Sequence, residues 1–462
     1  MSIVSVALLL ALRVGNLLSG KSLWSDETWS WKVAILPFQD CLKQVVQDVH
    51  PPLYYGLLNR IVYLFGDGEL VLRSISFLAG LLSTYFIYRL ARNLGGKEAG
   101  SCALVLAAIS PHLMQSSNEV RGYALLGCLS AACLFYLSQF LIYGRERDVV
   151  KTIIALALAV YTEHYAWFLV VAVLTTLVYK RYHRYVFLAI MPIIPAACLL
   201  VRQAMAGETV LDLAKLAEYR LFWVAVKKLL GIPWHWLAGY QFSMLTVEDL
   251  GLLLTNPMFM LTWLGVLCGL TFFVLGSLEM AKTRWHIILL SLVVLGPVLL
   301  LAVFYPIRLD ARYMSFAYPL FISVVALGMA QLGRVALTLL ATPMLAVMAY
   351  ASIYTVGLTT DPIHKEDYKG LFRLVGQYYN PDTDGLIGLD EARAYYNVPS
   401  RFDKDCSRLW VMQYVNMHPQ VEMRQLYEKE EEMGRYGYRP VVVYKVKEGD
   451  ALRVTLYEKE TT

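Results

Sequence analysis

About eleven stretches of this chain are apolar enough to be read as membrane crossings, and that pattern excludes most folds before any motif is considered. They fall at roughly 2–18, 71–91, 100–114, 121–143, 150–162, 164–179, 185–203, 257–278, 285–304, 313–331 and 335–357. In hydrocarbon every backbone N–H and C=O must find its partner within the protein, so apolar runs of this kind become helices. The chain therefore reads as an α-helical polytopic membrane protein. The two stretches flanking residues 161–165 are short for full crossings. Composition agrees, with 58% hydrophobic and 17% charged residues against roughly 45–50% and about 25% in soluble domains.

Charge divides the chain. Residues 359–462 hold 18 of the 36 acids and 15 of the 41 bases, which makes them net −3 and leaves +8 for residues 1–358. We expect a transmembrane domain over 1–358 and a small water-soluble domain over 359–462. Within the latter, 368–379 reads as helix, 385–389 as strand, and 428–432 as part of a second helix. Two alternating runs, 441–446 and 452–457, separated by 447–451, read as a β-hairpin. A small α/β domain fits, either binding an acceptor or capping the bundle. No bulk positive charge supports nucleic-acid binding. The seven cysteines form no CxxC pair, so neither a zinc site nor a disulfide framework is indicated.

Lysine and arginine set the orientation, because they collect in short cytoplasmic loops. Arg89, Arg92 and Lys97; Arg145, Arg147 and Lys151; Lys180, Arg181 and Arg184; Lys282 and Arg284; and Arg334 share one side if the N-terminus is cytoplasmic. An odd number of spans then places 359–462 outside, on the far face of the cell (inner or plasma) membrane. Arg13 and Asn16 interrupt the first span, which is not read as a cleaved signal. Two long outer loops, 19–70 and 204–256, mix Trp24, Trp29, Trp31, Trp223, Trp234 and Trp236 with lysine and arginine, as interfacial helices do.

The remaining ionisable residues gather on the outer face. Asp26, Glu27 and His50 are in the first outer loop, Glu119 and Arg121 in the second, Glu163 and His164 in the third, and Arg308, Asp310 and Arg312 in the fifth. Such groups at a membrane boundary are costly unless paired or wet; they line a polar cavity or, singly, meet headgroups. Asp26 and Glu27 sit between Trp24 and Trp29. A carboxylate there can take a proton or hold a cation. It can equally occupy the first turn of a helix capped by Ser25. His50, followed by Pro51, Pro52, Leu53, Tyr54 and Tyr55, precedes an amphipathic helix and could donate to an anionic oxygen or be structural. Glu119 and Arg121 open the fourth span two residues apart, hence on different helix faces and with different partners. Arg312 opens the tenth span with Tyr313, and arginine is suited either to fork onto phosphate or to anchor at the interface. No P-loop, dinucleotide fingerprint, HExxH or serine elbow appears in a supporting context.

Taken together, Ser22-Leu23-Trp24 leading to Asp26-Glu27, the run from His50 to Tyr55, and Phe65-Gly66 leading to Glu69 and Arg73 resemble the GT-C polytopic glycosyltransferases. The nearest groups are bacterial relatives of the protein O-mannosyltransferases and the lipid A aminoarabinose transferases. The runs 117–123 and 161–165 and the pair Arg312-Tyr313 are similar to later landmarks, so the likeness covers roughly 1–335. The resemblance implies a GT-C fold with interfacial helices in the first outer loop and an extracytoplasmic C-terminal domain. It also implies a sugar donor carried on polyprenyl phosphate or pyrophosphate, an acceptor hydroxyl on a glycan, lipid or protein, and inversion at the anomeric carbon. It makes Asp26 the catalytic base, with Glu27 and Glu119 beside it, and gives His50, Arg121 and Arg312 the departing lipid phosphate. Tyr54, Tyr55, Tyr123, Glu163, His164 and Tyr313 would line the substrate site.

Two departures stand out. The aminoarabinose transferases carry Glu-Lys-Pro-Pro where this chain has Val49-His50-Pro51-Pro52, which leaves open whether a divalent metal is bound. They also place a second aspartate near the position of Tyr123, for which Glu119 is the nearest substitute. A transporter or lipid-linked sugar flippase is the alternative, but such proteins show repeated halves with charges at the midplane, and no internal repeat is seen here. A noncatalytic scaffold would not explain Asp26, Glu27 and His50.

Overall fold

The computed structural model describes residues 11–48, 50–205, 231–239, 257–282, 310–356, 367–402, 406–414, 419–445 and 452–459. They form two compact units: one from the chain up to Ser19 with Ala34–Thr360, the other from Gly20–Val33 with Asp361–Thr462.

Among the described residues of the first unit, five helices are long and apolar enough to cross a membrane: Glu69–Ala108, Tyr123–Tyr143, His183–Gln203, Pro257–Lys282 and Arg334–Thr355. Two shorter apolar helices are His164–Tyr179 and Tyr318–Ala330. The chain is a mostly helical membrane protein. Residues 71–91 and 100–108 lie in the one long element, broken at Gly95 and Gly96, whose backbone angles are not helical. The stretch expected to end at 114 stops at Ala108 because Ser110 and Pro111 start another helix, Pro111–Ser116, with the Ser110 hydroxyl accepting from Leu113 N–H at 3.0 Å. The expected span 285–304, together with Arg284 and Arg308, lies outside the described residues.

Arg13 and Asn16 turn inward. Arg13 donates to the carbonyls of Gly80 at 2.9 Å and Ala107 at 2.6 Å, and Asn16 donates to Met114 O at 2.8 Å. These bonds satisfy side chains that would be costly against lipid. Glu69–Ala108 packs on Tyr123–Tyr143 and Tyr318–Ala330, and Pro257–Lys282 packs on Tyr318–Ala330 and Arg334–Val356. At the second crossing Gly276 and Gly328 face each other's helix backbone: a Cβ on Gly276 would lie 2.0 Å from Val324 O, and one on Gly328 1.9 Å from Phe272 O. Small residues allow such backbone approach, which drives helix association where lipid is as apolar as leucine. Gly276→Ala is expected to force these helices apart and destabilise the bundle by about 1–3 kcal/mol, read as a lower thermal unfolding midpoint in detergent.

Of the tryptophans expected at the interface, Trp31, Trp234 and Trp236 are buried, whereas Trp24 and Trp29 are partly covered. Trp31 is buried with its ring edge-on to Tyr395 at 5.1 Å. Trp234 packs on Trp263 at 4.7 Å, and Trp236 donates its indole N–H to Ala311 O at 3.2 Å. All three pack against protein, and the buried indole N–H of Trp236 has its acceptor. Trp223 lies outside the described residues.

The second unit holds a four-stranded sheet in the order β1-β2-β4-β3, with β1 Asp384–Ile387, β2 Arg408–Tyr414, β3 Tyr438–Lys445 and β4 Leu452–Lys459. β1 pairs with β2 in parallel, while β2/β4 and β3/β4 are antiparallel. Alternation along β2 sends Trp410 and Met412 into one core with Leu371 and Val375 of the helix Tyr368–Tyr378. Leu409 and Val411 enter the other with Met433 of the helix Pro419–Gly434. Buried Asp384 at the start of β1 accepts from Arg408 Nε at 2.9 Å and Nη2 at 2.8 Å and from Trp410 Nε1 at 2.9 Å, which neutralises its charge and satisfies both oxygens.

Candidate active site

Asp26 and Glu27 belong to the second unit. The helix Ser25–Ala34 begins one residue earlier than a Ser25 cap requires, so both acids fall in its first turn, where carboxylates are favoured by the exposed N–H groups. Trp24 is the residue before the helix, with Glu27 N–H donating to its carbonyl at 2.8 Å. Glu27 is buried, and its Oε2 accepts from Trp24 N–H at 3.2 Å. This is the returning half of a capping box, in which the third helical residue satisfies the cap's own N–H. Glu27 thereby fixes the turn that carries Asp26, whose side chain is only partly covered.

The remaining candidates lie in the first unit, around Arg121. Residues 118–122 form a non-helical turn and Tyr123 is the first residue of Tyr123–Tyr143, so Glu119 and Arg121 stand on the approach to the helix and not on its faces. Gly122 precedes the helix and has to be small: a Cβ there would meet Glu163 Oε1 at 3.0 Å and Thr162 at 3.3 Å. Glu119 Oε1 accepts from Gln115 at 3.1 Å, whereas Arg121 turns to other partners. Its Nη1 donates to the Tyr55 hydroxyl at 3.0 Å and its Nη2 lies 2.9 Å from His50 Nε2. Arginine has only donors, so His50 accepts through Nε2 and carries its proton on Nδ1. Burial, then the positive charges of Arg121 and His164, hold His50 well below the usual histidine range and keep it neutral.

Local bonds fix this arrangement. Tyr54 hydrogen-bonds Ser76 at 3.1 Å, and the Ser76 hydroxyl donates to the Arg121 carbonyl at 3.2 Å. Gln203, at the end of an otherwise apolar stretch, donates to the carbonyls of Asp48 and His50 while accepting from His164 Nε2 at 2.8 Å. Aromatic rings build the adjoining wall: Tyr313 stacks on Tyr165 at 5.2 Å and meets Tyr123 edge-on at 5.6 Å. Arg312 lies 5.3 Å from the Tyr313 ring centroid and 3.5 Å from Asp310 Oδ2. The Tyr123 hydroxyl is buried and has no hydrogen-bond partner among the described residues.

Glu163 is buried beside this group. Burial raises its carboxyl pKa to about 7, with the Arg121 charge pulling the other way. A carboxyl raised above its unfolded value of 4.5 binds a proton more tightly in the folded state, so its contribution to stability is full below pH 4.5 and is lost as pH climbs towards 7. Thermal melts of Glu163→Gln between pH 5 and pH 8 are expected to lose this component of the wild type's decline with pH, while the wild type keeps it.

Sequence reasoning missed Ser76, Gln203 and buried His112, whose Nε2 lies 3.2 Å from Ser315 Oγ. A polar residue within an apolar stretch was the signal available for Gln203 and His112. Among the described residues no three His, Cys, Asp or Glu side chains are placed to hold a metal ion.

Residues 49–205 match the family model of dolichyl-phosphate-mannose-protein mannosyltransferases. The structure superposes on ArnT from Cupriavidus metallidurans bound to undecaprenyl phosphate with a TM-score of 0.54 at 13% identity, covering 98% of this chain and 97% of that one. The fold is that of the GT-C glycosyltransferases. The resemblance read from the sequence therefore holds at the level of the fold. A second structure of similar fold is the oligosaccharyltransferase of Archaeoglobus fulgidus in the apo form, with a TM-score of 0.50 at 12% identity over 87% of this chain and 59% of that one. Among curated protein sequences none matches. The matched stretch contains His50, Tyr54, Tyr55, Glu119, Arg121, Tyr123, Glu163 and His164.

Proposed function

We propose that this protein transfers a hexosyl or pentosyl group from a polyprenyl-phosphate-linked donor to an acceptor hydroxyl at the extracytoplasmic face of the membrane, with inversion. The observation that carries the reading is Arg121: buried, held by neutral His50 and Tyr55, and lying within the stretch that matches the mannosyltransferases. ArnT, the full-length structural neighbour, binds undecaprenyl phosphate, which supports a donor of that chemistry here.

In this reading the acceptor oxygen attacks the anomeric carbon as its proton passes to Asp26. The bond from that carbon to the phosphate oxygen breaks, and its electron pair leaves with the lipid phosphate. Arg121 meets the developing charge, because a planar guanidinium bonds two phosphate oxygens at once. Arg312 supplies a second cation, and Tyr123 offers a hydroxyl that the protein leaves unused among the described residues. His50 acts through Arg121, spending its lone pair on the guanidinium in place of contacting phosphate as a cation. Glu27 sets the helix start that presents Asp26. The rings of Tyr54, Tyr55, Tyr313 and Tyr165 bound the sugar, with Glu163, His164 and Glu119 as further polar groups of the substrate site.

Purified protein incubated with radiolabelled polyprenyl-phosphate sugars and membrane extract should form a new labelled glycoside and release polyprenyl phosphate. Movement of label between leaflets with no new glycoside would overturn the reading in favour of a flippase.

A further inference from the structure

We infer that the C-terminal unit positions the catalytic helix, and that the hydroxyl of Tyr396 is the residue contact through which it does so. The inference rests on the proposed role of Asp26 for its catalytic half; its structural half stands on contacts within the second unit alone.

Two backbone N–H groups precede the helix Ser25–Ala34 and have no helical acceptor. Glu27 takes that of Trp24. The N–H of Leu23 donates to the Tyr396 hydroxyl at 2.8 Å, and Ser22 Oγ lies 3.1 Å from the same oxygen. Tyr396 follows the helix Asp390–Tyr395, and its ring is wedged between Phe372 at 5.7 Å and Tyr395 at 4.8 Å. Its hydroxyl is thus aimed by the core of the C-terminal unit. Other contacts tie the same segment down. Lys369 Nζ donates to Gly20 O at 2.7 Å, Trp31 packs on Tyr395 at 5.1 Å, and Lys32 pairs with Glu391 at 2.9 Å. The last pair is exposed and contributes little.

Residues 20–33 join the C-terminal unit, while the contacts of Arg121 lie in the first. Asp26 lies three residues beyond the amide that Tyr396 holds. Where reactants must be aligned within fractions of an ångström, a loosened helix start costs rate before it costs donor affinity. Tyr396 is therefore a positioning residue, and the C-terminal unit is a working part of the enzyme.

Tyr396→Phe in the full chain, reconstituted in nanodiscs, tests this. The ring stays and only the hydroxyl is lost. Amides of residues 22–28 are expected to exchange about tenfold faster by mass spectrometry, with β2 and β4 unchanged. Transfer from a radiolabelled polyprenyl-phosphate sugar should show kcat lowered about tenfold or more and KM for the donor within about twofold. Faster exchange throughout β1–β4 would mean a merely structural tyrosine and overturn the inference, as would unchanged exchange at 22–28 or an unchanged kcat. If the wild type transfers no sugar while exchange rises at 22–28 alone, the docking stands and the glycosyltransferase reading falls.

Discussion

Asp26→Asn is expected to lower kcat by about two to four orders of magnitude, the range lost with a general base, while polyprenyl-phosphate binding changes by less than about twofold. The substitution keeps shape and hydrogen-bonding capacity and removes only the ability to accept a proton as a carboxylate. Its structural cost is small, because an acid in a first helical turn contributes about 0.3–1 kcal/mol. Glu27→Gln separates the neighbouring roles. Its remaining amide oxygen can still accept the Trp24 N–H that Glu27 takes at 3.2 Å, so kcat should fall far less than in Asp26→Asn. Steady-state transfer and direct binding of polyprenyl phosphate, measured on both variants in the same membrane mimetic, give the comparison. Near wild-type transfer by folded, inserted Asp26→Asn would remove Asp26 from the mechanism. A loss of equal size in Glu27→Gln would move the proton to Glu27.

Particular residues show what the sequence made legible. Apolar runs announce helices wherever they are uninterrupted, as at 123–143 and 257–282, since the bilayer leaves the backbone no other solution. Boundaries were lost where a local signal competes with hydropathy. Ser110 and Pro111 cut the stretch at 100–114, and the helix expected from 121 starts at Tyr123, after a turn over 118–122. The hairpin of β3 and β4 was readable from alternation, because Val442 and Tyr444 of β3 and Leu452, Val454 and Leu456 of β4 share one core, although the other face of β4 is buried as well. The partnership of Arg121 with His50 was not, as it joins residues 71 apart in the chain. Nor was the attachment of 20–33 to the C-terminal unit, which depends on Tyr396, a residue indistinguishable in sequence from the other tyrosines near it.

Arg121→Lys should lower kcat/KM for the donor by about 10- to 150-fold, the equivalent of a charge-assisted hydrogen bond worth about 1.5–3 kcal/mol. Both side chains are cations, so a point charge near phosphate predicts little change, and the size of the loss measures the fork. In the native arrangement Nη1 is held by Tyr55 at 3.0 Å and Nη2 by His50 at 2.9 Å, which fixes the guanidinium plane before donor arrives. A lysine ammonium presents donors in no fixed plane and cannot reproduce that preorganisation. His50→Gln completes the argument. A glutamine carbonyl can accept from Nη2 as the neutral imidazole does, so donor kinetics should stay within about fivefold of wild type on the strength of one neutral acceptor replacing another. His50→Leu, which offers no acceptor, should approach the Arg121→Lys loss. If His50→Gln were as damaging as Arg121→Lys, the imidazole itself would be handling a proton or contacting phosphate. The order Gln, then Leu, then loss of Arg121 is what a histidine serving to aim an arginine requires.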